Sequence, residues 1–343
     1  MNDRRYDIDW LRVIAIGLLL IYHVAIAFQP WGVMIGFPTN KEPWTGLWVP
    51  MTMLNIWRIP LLFFVSGMGV YFALQRRTWK ELIGERTLRI LVPFLFGVFV
   101  IVPIHLLMWR EYFDMSPAYD PSRGHLWFLA NIFGYVLLFS PLFYYLRKDN
   151  KLSHWIKKIF SSPLGLIIVA GAFTAEAMIL QPYPYELYAM TLHGYWLGGI
   201  AFFFGFCFVL SGEGFAKMIV KGMWIFLFVA IGLFALRLNM KSPYYLIVIE
   251  SHCWIYCLLA FGYKYLNREG KALSYLSAAA YPVYILHMIF IFLGAFLIFP
   301  LAIPVQLKFV LLLAITFAGC FLTYELIRRV KWLRPLFGLK FSV

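Results

Sequence analysis

Two ionisable side chains interrupt the first long apolar stretch of the sequence. They are Arg12 and His23, and ten residues separate them. In an α-helix this spacing is about three turns, so both side chains lie on one face, roughly 16 Å apart along the axis. If the stretch spans a membrane, Arg12 lies near one surface and His23 near the middle, where ionisable residues are rare and usually functional.

The chemistry that these two side chains support is proton transfer and anion binding. An uncharged imidazole accepts the proton of an attacking hydroxyl, and a guanidinium binds a phosphate or polarises a carbonyl through its fork of donors. Each residue also has a structural alternative. Asp9 lies three residues before Arg12 on the same helix face and would form a local ion pair with it. The structural alternative for His23 is a buried side chain that is hydrogen-bonded to a neighbouring helix.

The composition predicts the elements that must position these residues. Of the 343 residues, 62% are hydrophobic and only 13% are charged, whereas soluble domains contain roughly 25% charged residues. No interval between the apolar stretches is long enough to build a hydrophobic core of its own. The sequence therefore predicts an all-α, polytopic membrane protein in which residues 1–343 form a single transmembrane domain without a separate soluble domain.

Ten apolar stretches are long enough to span a membrane as helices. They lie near residues 11–30, 50–74, 88–109, 125–146, 159–180, 192–211, 222–239, 243–264, 273–299 and 304–327. Most of the 30 Lys and Arg residues fall on one side of these spans, which identifies that side as cytoplasmic, and an even number of spans places both termini there. The net charge of +14 is therefore mainly topological, so membrane lipids are predicted as partners and nucleic acid is not.

Further ionisable residues fall inside the predicted spans. Arg58, Glu176 and Glu250 lie in the outer halves of their spans, where a charged group must pair or line a wet cavity. These three residues are predicted to surround a polar pocket that opens to the outside. His287 falls about halfway through the ninth span, either as a second polar group at the reaction centre or as a tertiary hydrogen-bond partner.

No metal site and no tightly bound cofactor are predicted. The four cysteines fall in apolar stretches without metal-ligand spacing and are predicted to be core residues. Ser66 and Gly67 in the second span do not form the Gly-x-Ser-x-Gly pattern of a nucleophile elbow. This small pair is predicted to let two helices pack closely.

Several stretches accompany Arg12 and His23 in a fixed order. They are Arg58-Ile59-Pro60-Leu61-Leu62-Phe63-Phe64-Val65-Ser66-Gly67, Arg86-Thr87-Leu88-Arg89-Ile90-Leu91-Val92-Pro93, His125-Leu126-Trp127-Phe128-Leu129, Tyr281-Pro282-Val283-Tyr284-Ile285-Leu286-His287 and Tyr324-Glu325-Leu326-Ile327-Arg328-Arg329. In order and spacing, from the first helix to the last, the chain resembles the acyltransferase-3 family of integral membrane acyltransferases, and most of all its glucan biosynthesis protein C branch.

The resemblance implies transfer of an acyl group from cytoplasmic acyl-CoA to a hydroxyl of an extracytoplasmic carbohydrate. The family's motif of an arginine, ten residues and a histidine falls on Arg12 and His23. Its arginine-x-x-arginine motif falls on Arg86 and Arg89, three apart on one helix face. His23 would be the general base, and Arg12, with Asp9 beside it, would contact the donor.

The remaining predicted site residues would bind the two substrates. Arg86 and Arg89 would clamp the polyanionic CoA, although arginines are common at any cytoplasmic helix end. The pocket around Arg58, Glu176 and Glu250 would receive the sugar.

The branch favours succinyl transfer to a periplasmic glucan, with acetyl as the other candidate group, by a protein of a bacterial-type inner membrane. Two rival functions would use the same buried charges. A transporter or flippase of a lipid-linked or small glycan would line its path with them and would need no acyl-CoA. A non-catalytic assembly subunit would not depend on Arg12 or His23.

Overall fold

The computed structural model describes residues 5–341 as helices joined by loops. In chain order they are α1 (Tyr6–Ile26), α2 (Trp48–Leu74), α3 (Trp79–Tyr112), α4 (Trp127–Leu146), α5 (Lys151–Phe160), α6 (Pro163–Leu180), α7 (Leu192–Leu210), α8 (Glu213–Asn239), α9 (Tyr244–Leu266), α10 (Lys271–Ile298) and α11 (Val305–Arg329). Within the described part, ten of these helices, all except α5, are long and apolar enough to cross a membrane. The predicted all-α polytopic fold is confirmed.

Several helix boundaries differ from the predicted spans, among them those of α1 and of the fifth span. Helix α1 begins and ends earlier than the predicted span 11–30, so His23 lies in its last turn and not near the middle of a span. The fifth span starts at Pro163, and the short helix α5 precedes it. Helix α5 begins where Asn150 accepts a hydrogen bond from the Ser153 backbone at 2.8 Å and Ser153 Oγ accepts one from the Asn150 backbone at 3.1 Å.

The chain forms two compact units. Unit 1 contains the described residues up to Ala15, together with Asn55–Arg86 and Asn131–Ser274. Unit 2 contains Ile16–Leu54, Thr87–Ala130 and the described residues from Tyr275 onward. Arg12 therefore belongs to unit 1 and His23 to unit 2. The single transmembrane domain inferred from the sequence stays a prediction.

Small residues bring α2 and α7 into close contact in unit 1. Gly67 of α2 lies against the carbonyl of Phe202, and Gly205 of α7 lies against the carbonyl of Phe64. A Cβ atom at either glycine would overlap the facing carbonyl oxygen, so only glycine permits this approach of two backbones. Ser66 donates its hydroxyl proton to the carbonyl one turn earlier in α2, at 2.7 Å. These contacts agree with the packing role predicted for Ser66 and Gly67.

A proline in α2 exposes a backbone acceptor that unit 1 satisfies with side chains. Pro60 has no N–H to donate to the carbonyl of Ile56. Ser251 Oγ donates to that carbonyl at 2.8 Å, and Tyr188 Oη donates to it at 3.3 Å. A carbonyl left without a donor in an apolar interior would be costly, so Pro60 positions parts of α9 and of the loop after α6 around α2.

Unit 2 uses the same device in α3, which contains two π-helical stretches, Thr87–Leu91 and Gly97–Ile101. A proline follows each stretch two residues later, at positions 93 and 103. Pro103 cannot donate to the carbonyl of Phe99, and the hydroxyl of Tyr119 donates to it at 2.9 Å. Because π-turns widen a helix locally, α3 does not keep the regular α-helical spacing of side chains along its length.

The core of unit 2 surrounds the end of α1. Its buried members come from α1, the segment after α1, α10 with the residue that follows it, and α11, and they are Val24, Ile26, Ala27, Phe28, Phe37, Met288, Ile291, Phe292, Ala295, Ile298, Phe299 and Leu312. The segment after α1 folds back on itself, since the Asn40 N–H donates to the Ala27 carbonyl and the Trp44 N–H to the Phe28 carbonyl, both at 2.9 Å. This packing holds the last turn of α1, and with it His23.

Candidate active site

The centre of the candidate site is a pair of histidines in unit 2. Nδ1 of His23, in the last turn of α1, lies 2.7 Å from Nε2 of His287 in α10. The two ring planes differ by only 4° and their centroids are 5.0 Å apart. For nitrogens this close, such a separation places the rings nearly end to end. His287 is fully buried, whereas His23 is half-buried. The site thus joins one inner and one accessible imidazole by a single hydrogen bond.

Two further histidines extend this pair into a chain of ring contacts. The ring of His125 lies edge-on to His287 with the centroids 5.0 Å apart, and the ring of His105 lies 5.4 Å from that of His125. His105 donates from Nδ1 to the Ile101 carbonyl at 3.3 Å. Neither residue was among the predicted site residues. The available signal was that His125 and His287 each belong to a stretch that carried the family resemblance.

Reciprocal hydrogen bonds attach the start of α4 to α10 beside His287. Nε2 of His125 donates to the Ile285 carbonyl at 3.1 Å, and the hydroxyl of Tyr284 donates to the His125 carbonyl. Nδ1 of His287 lies 2.7 Å from the carbonyl of Tyr284. These bonds hold His125 and His287 at defined positions within unit 2.

Arg12 forms the ion pair that was the structural alternative for it. Its Nη1 lies 3.2 Å from Oδ1 of Asp9, and the two side chains are 35% and 17% exposed. Both residues belong to unit 1. Because a guanidinium has five donor hydrogens, one carboxylate oxygen does not saturate it. A contact of Arg12 with the donor stays a prediction.

A second ion pair near the start of α1 was not predicted. Arg5 binds Asp7 through two hydrogen bonds, at 2.8 and 2.7 Å, and the Asp7 side chain is almost completely buried. Arg5 also lies over the ring of Tyr263 at 4.6 Å, and the backbone N–H of Tyr6 donates to Asn267 Oδ1 at 3.0 Å. The signal was an aspartate at the edge of an apolar stretch, because a buried carboxylate requires a nearby cation.

Arg86 and Arg89 lie on either side of a change in helix type. Arg86 ends the α-helical first part of α3, and its Nε lies 3.7 Å from a carboxylate oxygen of Glu85. Arg89 lies within the π-helical stretch Thr87–Leu91. Both side chains are half-buried. The α-helical spacing that predicted a common face for the two arginines does not apply across this stretch, and their contact with CoA stays a prediction.

Glu176, predicted in the acceptor pocket, is paired with a histidine. Its carboxylate oxygens lie 2.8 and 3.1 Å from Nδ1 of His193, and Nε2 of His193 donates to the Tyr185 carbonyl at 2.9 Å. Both side chains of the pair are buried in unit 1. Burial raises the pKa of the Tyr185 hydroxyl, and the charges of Glu176 and Glu186 raise this pKa further. The sequence offered no pairing signal for His193 beyond its place beside an aromatic loop.

Glu250, the other predicted pocket carboxylate, binds Arg237. Two hydrogen bonds join them, from Nε at 2.6 Å and from Nη2 at 3.0 Å, and Glu186 lies 3.6 Å from Nη1 of the same arginine. Arg58 is also buried in unit 1, at 1% exposure. Glu176 and Glu250 therefore bind different side chains, His193 and Arg237. A role of these residues in an acceptor pocket stays a prediction.

The cysteines and the other metal-binding residue types form no ligand set in the described chain. Across residues 5–341, no group of three or more His, Cys, Asp or Glu side chains is arranged to hold a metal ion. Cys207, Cys257 and Cys320 are buried free thiols and Cys253 is half-buried. The four histidines of unit 2 follow one another by ring contacts, and proton transfer is the chemistry that this arrangement supports.

The comparison with family models relates this site to a known family. The model described as an acyltransferase domain, Acyl_transf_3, matches residues 5–325. No curated protein and no solved structure matches the chain. The matched residues include Arg12, Arg86 and Arg89. They also include the four histidines of unit 2 and the ion pairs of unit 1.

Proposed function

This chain belongs to the acyltransferase-3 family and is a multi-pass membrane acyltransferase, and we propose that it transfers an acyl group from cytoplasmic acyl-CoA to a hydroxyl of an extracytoplasmic carbohydrate. The observation that carries the proposal is the half-buried His23, bonded to the buried His287 in a chain that belongs to this family. A histidine reachable from one side and oriented from the other is suited to general-base catalysis.

In the proposed reaction the acceptor hydroxyl attacks the thioester directly. His23 takes the hydroxyl proton as the oxygen forms a bond to the acyl carbon. The bond between the acyl carbon and sulfur then breaks, and the protonated His23 returns the proton to the sulfur. The products are the carbohydrate ester and the free thiol of CoA, so no acyl-enzyme intermediate is needed.

The donor is proposed to bind through arginines. Arg12, with Asp9 beside it, would orient the thioester end, and Arg86 and Arg89 would bind the phosphates of CoA. The distribution of positive charge supports donor binding from the cytoplasm. The basic segments between the helices favour a cytoplasmic position for both termini in a bacterial-type inner membrane, and acyl-CoA is on that side.

The acceptor is proposed to be a periplasmic glucan, and the acyl group succinyl or acetyl. The resemblance to the glucan biosynthesis protein C branch supports this choice. Arg58, Glu176 and Glu250 would contribute to the acceptor pocket, where the buried ion pairs of unit 1 would fix polar groups for sugar hydroxyls.

The test is acyl transfer by the purified protein in lipid vesicles. Succinyl-CoA and acetyl-CoA are supplied separately with a β-glucan, and the released thiol of CoA and the mass of the glucan are measured. We expect the glucan to gain the mass of one of the two acyl groups per thiol released. Movement of glucan across the vesicle membrane without release of CoA would contradict the proposal and favour a transporter.

A matched pair of double variants tests the donor site. Arg86→Ala combined with Arg89→Ala removes two charge-assisted contacts, so the KM for acyl-CoA should rise roughly tenfold or more. Lys157→Ala combined with Lys158→Ala, which removes one half-buried and one exposed cation of α5, should leave this KM within about twofold, since surface charges act weakly. Equal effects of the two double variants on this KM would contradict the proposal, because the arginines would then act only as general surface charge.

A further inference from the structure

We propose that His287 is a positioning residue that holds His23 in the tautomer required of the base. The inference rests on the proposed function, in which His23 accepts the proton of the acceptor hydroxyl. His287 itself is fully buried and acts through His23.

The backbone determines which nitrogen of His287 carries a hydrogen. Its Nδ1 lies 2.7 Å from the carbonyl oxygen of Tyr284, and a carbonyl oxygen can only accept a hydrogen bond. Nδ1 of His287 is therefore the donor. A fully buried imidazole is held at least cost in its neutral form, so Nε2 of His287 carries a lone pair.

The lone pair on His287 then determines the tautomer of His23. Nδ1 of His23 lies 2.7 Å from this Nε2, and a hydrogen bond needs one donor, so Nδ1 of His23 carries the hydrogen. In neutral His23 the lone pair is left on Nε2. That nitrogen, on the opposite side of the ring from His287, is the one that accepts the proton of the hydroxyl.

The geometry of the two rings supports this assignment. Their planes differ by 4° and the centroids are 5.0 Å apart, so the N–H of one ring and the lone pair of the other point along one line, as a strong hydrogen bond prefers. Edge-on packing of His125 and its bond to the Ile285 carbonyl support His287 from the other side. The acceptor nitrogen cannot move away from His23 without breaking these contacts.

The bond becomes stronger as the reaction proceeds. When Nε2 of His23 takes the hydroxyl proton, the ring becomes positively charged, and its Nδ1–H donates to His287 as a charge-assisted hydrogen bond. The proton then leaves Nε2 for the sulfur of CoA, and the bond returns to its neutral form. His287 therefore stabilises the charged intermediate state of His23 more than its resting state, which is what accelerates a reaction.

Two substitutions of His287 separate positioning from packing. His287→Phe keeps a ring but removes the acceptor, and kcat should fall about 10- to 100-fold, the range expected for a hydrogen bond to a charged group. His287→Gln can present its amide oxygen to Nδ1 of His23, and it should recover kcat to within about tenfold of the wild type. The KM values for succinyl-CoA and for the glucan should stay within about twofold, because a fully buried residue touches neither substrate.

The control is the same change at another buried histidine. His252 of α9 is buried and lies with Nδ1 2.7 Å from the carbonyl one turn earlier, and it packs against Phe173. His252→Phe therefore tests the loss of a buried imidazole in unit 1, and kcat should stay within about threefold of the wild type.

Nitrogen NMR of the ¹⁵N-histidine-labelled protein in lipid tests the assignment without any activity measurement. The two neutral tautomers give different nitrogen shifts, and comparison with the His23→Ala variant identifies the His23 signals. We expect the Nδ1–H tautomer of His23 in the wild type and a loss of this preference in His287→Phe.

The outcomes are distinct from those of the proposed function. An Nε2–H tautomer of His23 in the wild type, a charged His287, or equal kcat for His287→Phe and His287→Gln would overturn the positioning role. Full activity of His23→Ala would instead overturn His23 as the base, whichever tautomer is observed.

Discussion

The two units each bury a group of ionisable side chains, but they satisfy them differently. In unit 1 two buried carboxylates each face a nitrogen-bearing side chain, in the pairs Glu176 with His193 and Glu250 with Arg237. In unit 2 the candidate site consists of imidazoles, and His23 bonds to His287. Buried pairs of opposite charge hold the fold together, because removal of one partner leaves the other charge buried without compensation. An imidazole bonded to another imidazole can gain or lose a proton while its neighbour adjusts, which suits catalysis.

The burial of the two groups sharpens this difference. His193 is buried and both of its ring nitrogens lie within hydrogen-bond distance of protein acceptors. His23 is only half-buried. The same residue type therefore serves structure in one unit and, in our proposal, proton transfer in the other.

The largest expected effect compares these two histidines directly. His23→Ala should lower kcat for acyl transfer 10²- to 10⁴-fold, the usual contribution of a general base, and should cost about 1–3 kcal/mol of stability, because the buried Nε2 of His287 loses its donor. His193→Ala should instead lower stability and leave kcat largely unchanged. The loss should be about 3–5 kcal/mol, because the buried Glu176 would be without its cationic or hydrogen-bonding partner. Release of CoA and thermal unfolding of the purified variants measure the two effects.

If His193→Ala lowered kcat as much as His23→Ala in protein that is still folded, the contrast between the units would be wrong. A His23→Ala variant that loses more stability than His193→Ala would contradict it from the other side.

The next effect concerns the ion pair of Arg237 and Glu250 in unit 1. Arg237→Leu should destabilise the protein by about 3–5 kcal/mol, because Glu250 would stay buried without its partner. The double variant Arg237→Leu with Glu250→Leu should recover most of this loss, since it removes both charges. Thermal unfolding of the single and double variants provides the measurement.

The same double variant tests the predicted acceptor pocket. If Glu250 contacts the sugar, the KM for the glucan rises even where stability has recovered. An unchanged KM with recovered stability would assign the pair to structure alone, and no recovery in the double variant would show that the pair is not the unit that stabilises the fold.

The smallest expected effect lies in unit 2. Tyr284→Phe removes the hydroxyl that donates to the His125 carbonyl and should lower stability by about 1 kcal/mol, the net value of an ordinary hydrogen bond. Because His287 bonds to the backbone carbonyl of Tyr284 and not to its side chain, kcat should fall less than threefold. Kinetics of acyl transfer and thermal unfolding of this variant measure the two effects. A loss of kcat comparable to that of His287→Phe would mean that the hydroxyl also orients the histidine pair.

Much of the fold follows from local properties of the chain. Long apolar stretches predict membrane helices because a backbone in lipid must satisfy its own hydrogen bonds, and the number of spans was correct. Helix ends were less predictable. The helix α5 depends on the capping pair Asn150 and Ser153, and the end of α1 depends on the segment that folds back beside Ala27. Apolar composition alone does not contain these contacts.

The candidate site was predictable only in part. The spacing of Arg12 and His23, and of Arg86 and Arg89, is visible in the sequence because both members of each pair lie on one helix. The shared face expected for Arg86 and Arg89 was wrong in its assumption of regular α-helix, since Thr87–Leu91 is π-helical.

The sequence by itself determined the membrane helices, the positions of the ionisable residues along them and the family resemblance. Only the tertiary structure decided which of those residues meet. His23 and His287 are 264 positions apart, and Glu176 and His193 lie on different helices 17 positions apart. The physical reason is that periodicity specifies which side chains share a helix face, whereas the partner of that face is chosen by the packing of whole helices. The tautomer proposed for His23 is a consequence of that packing.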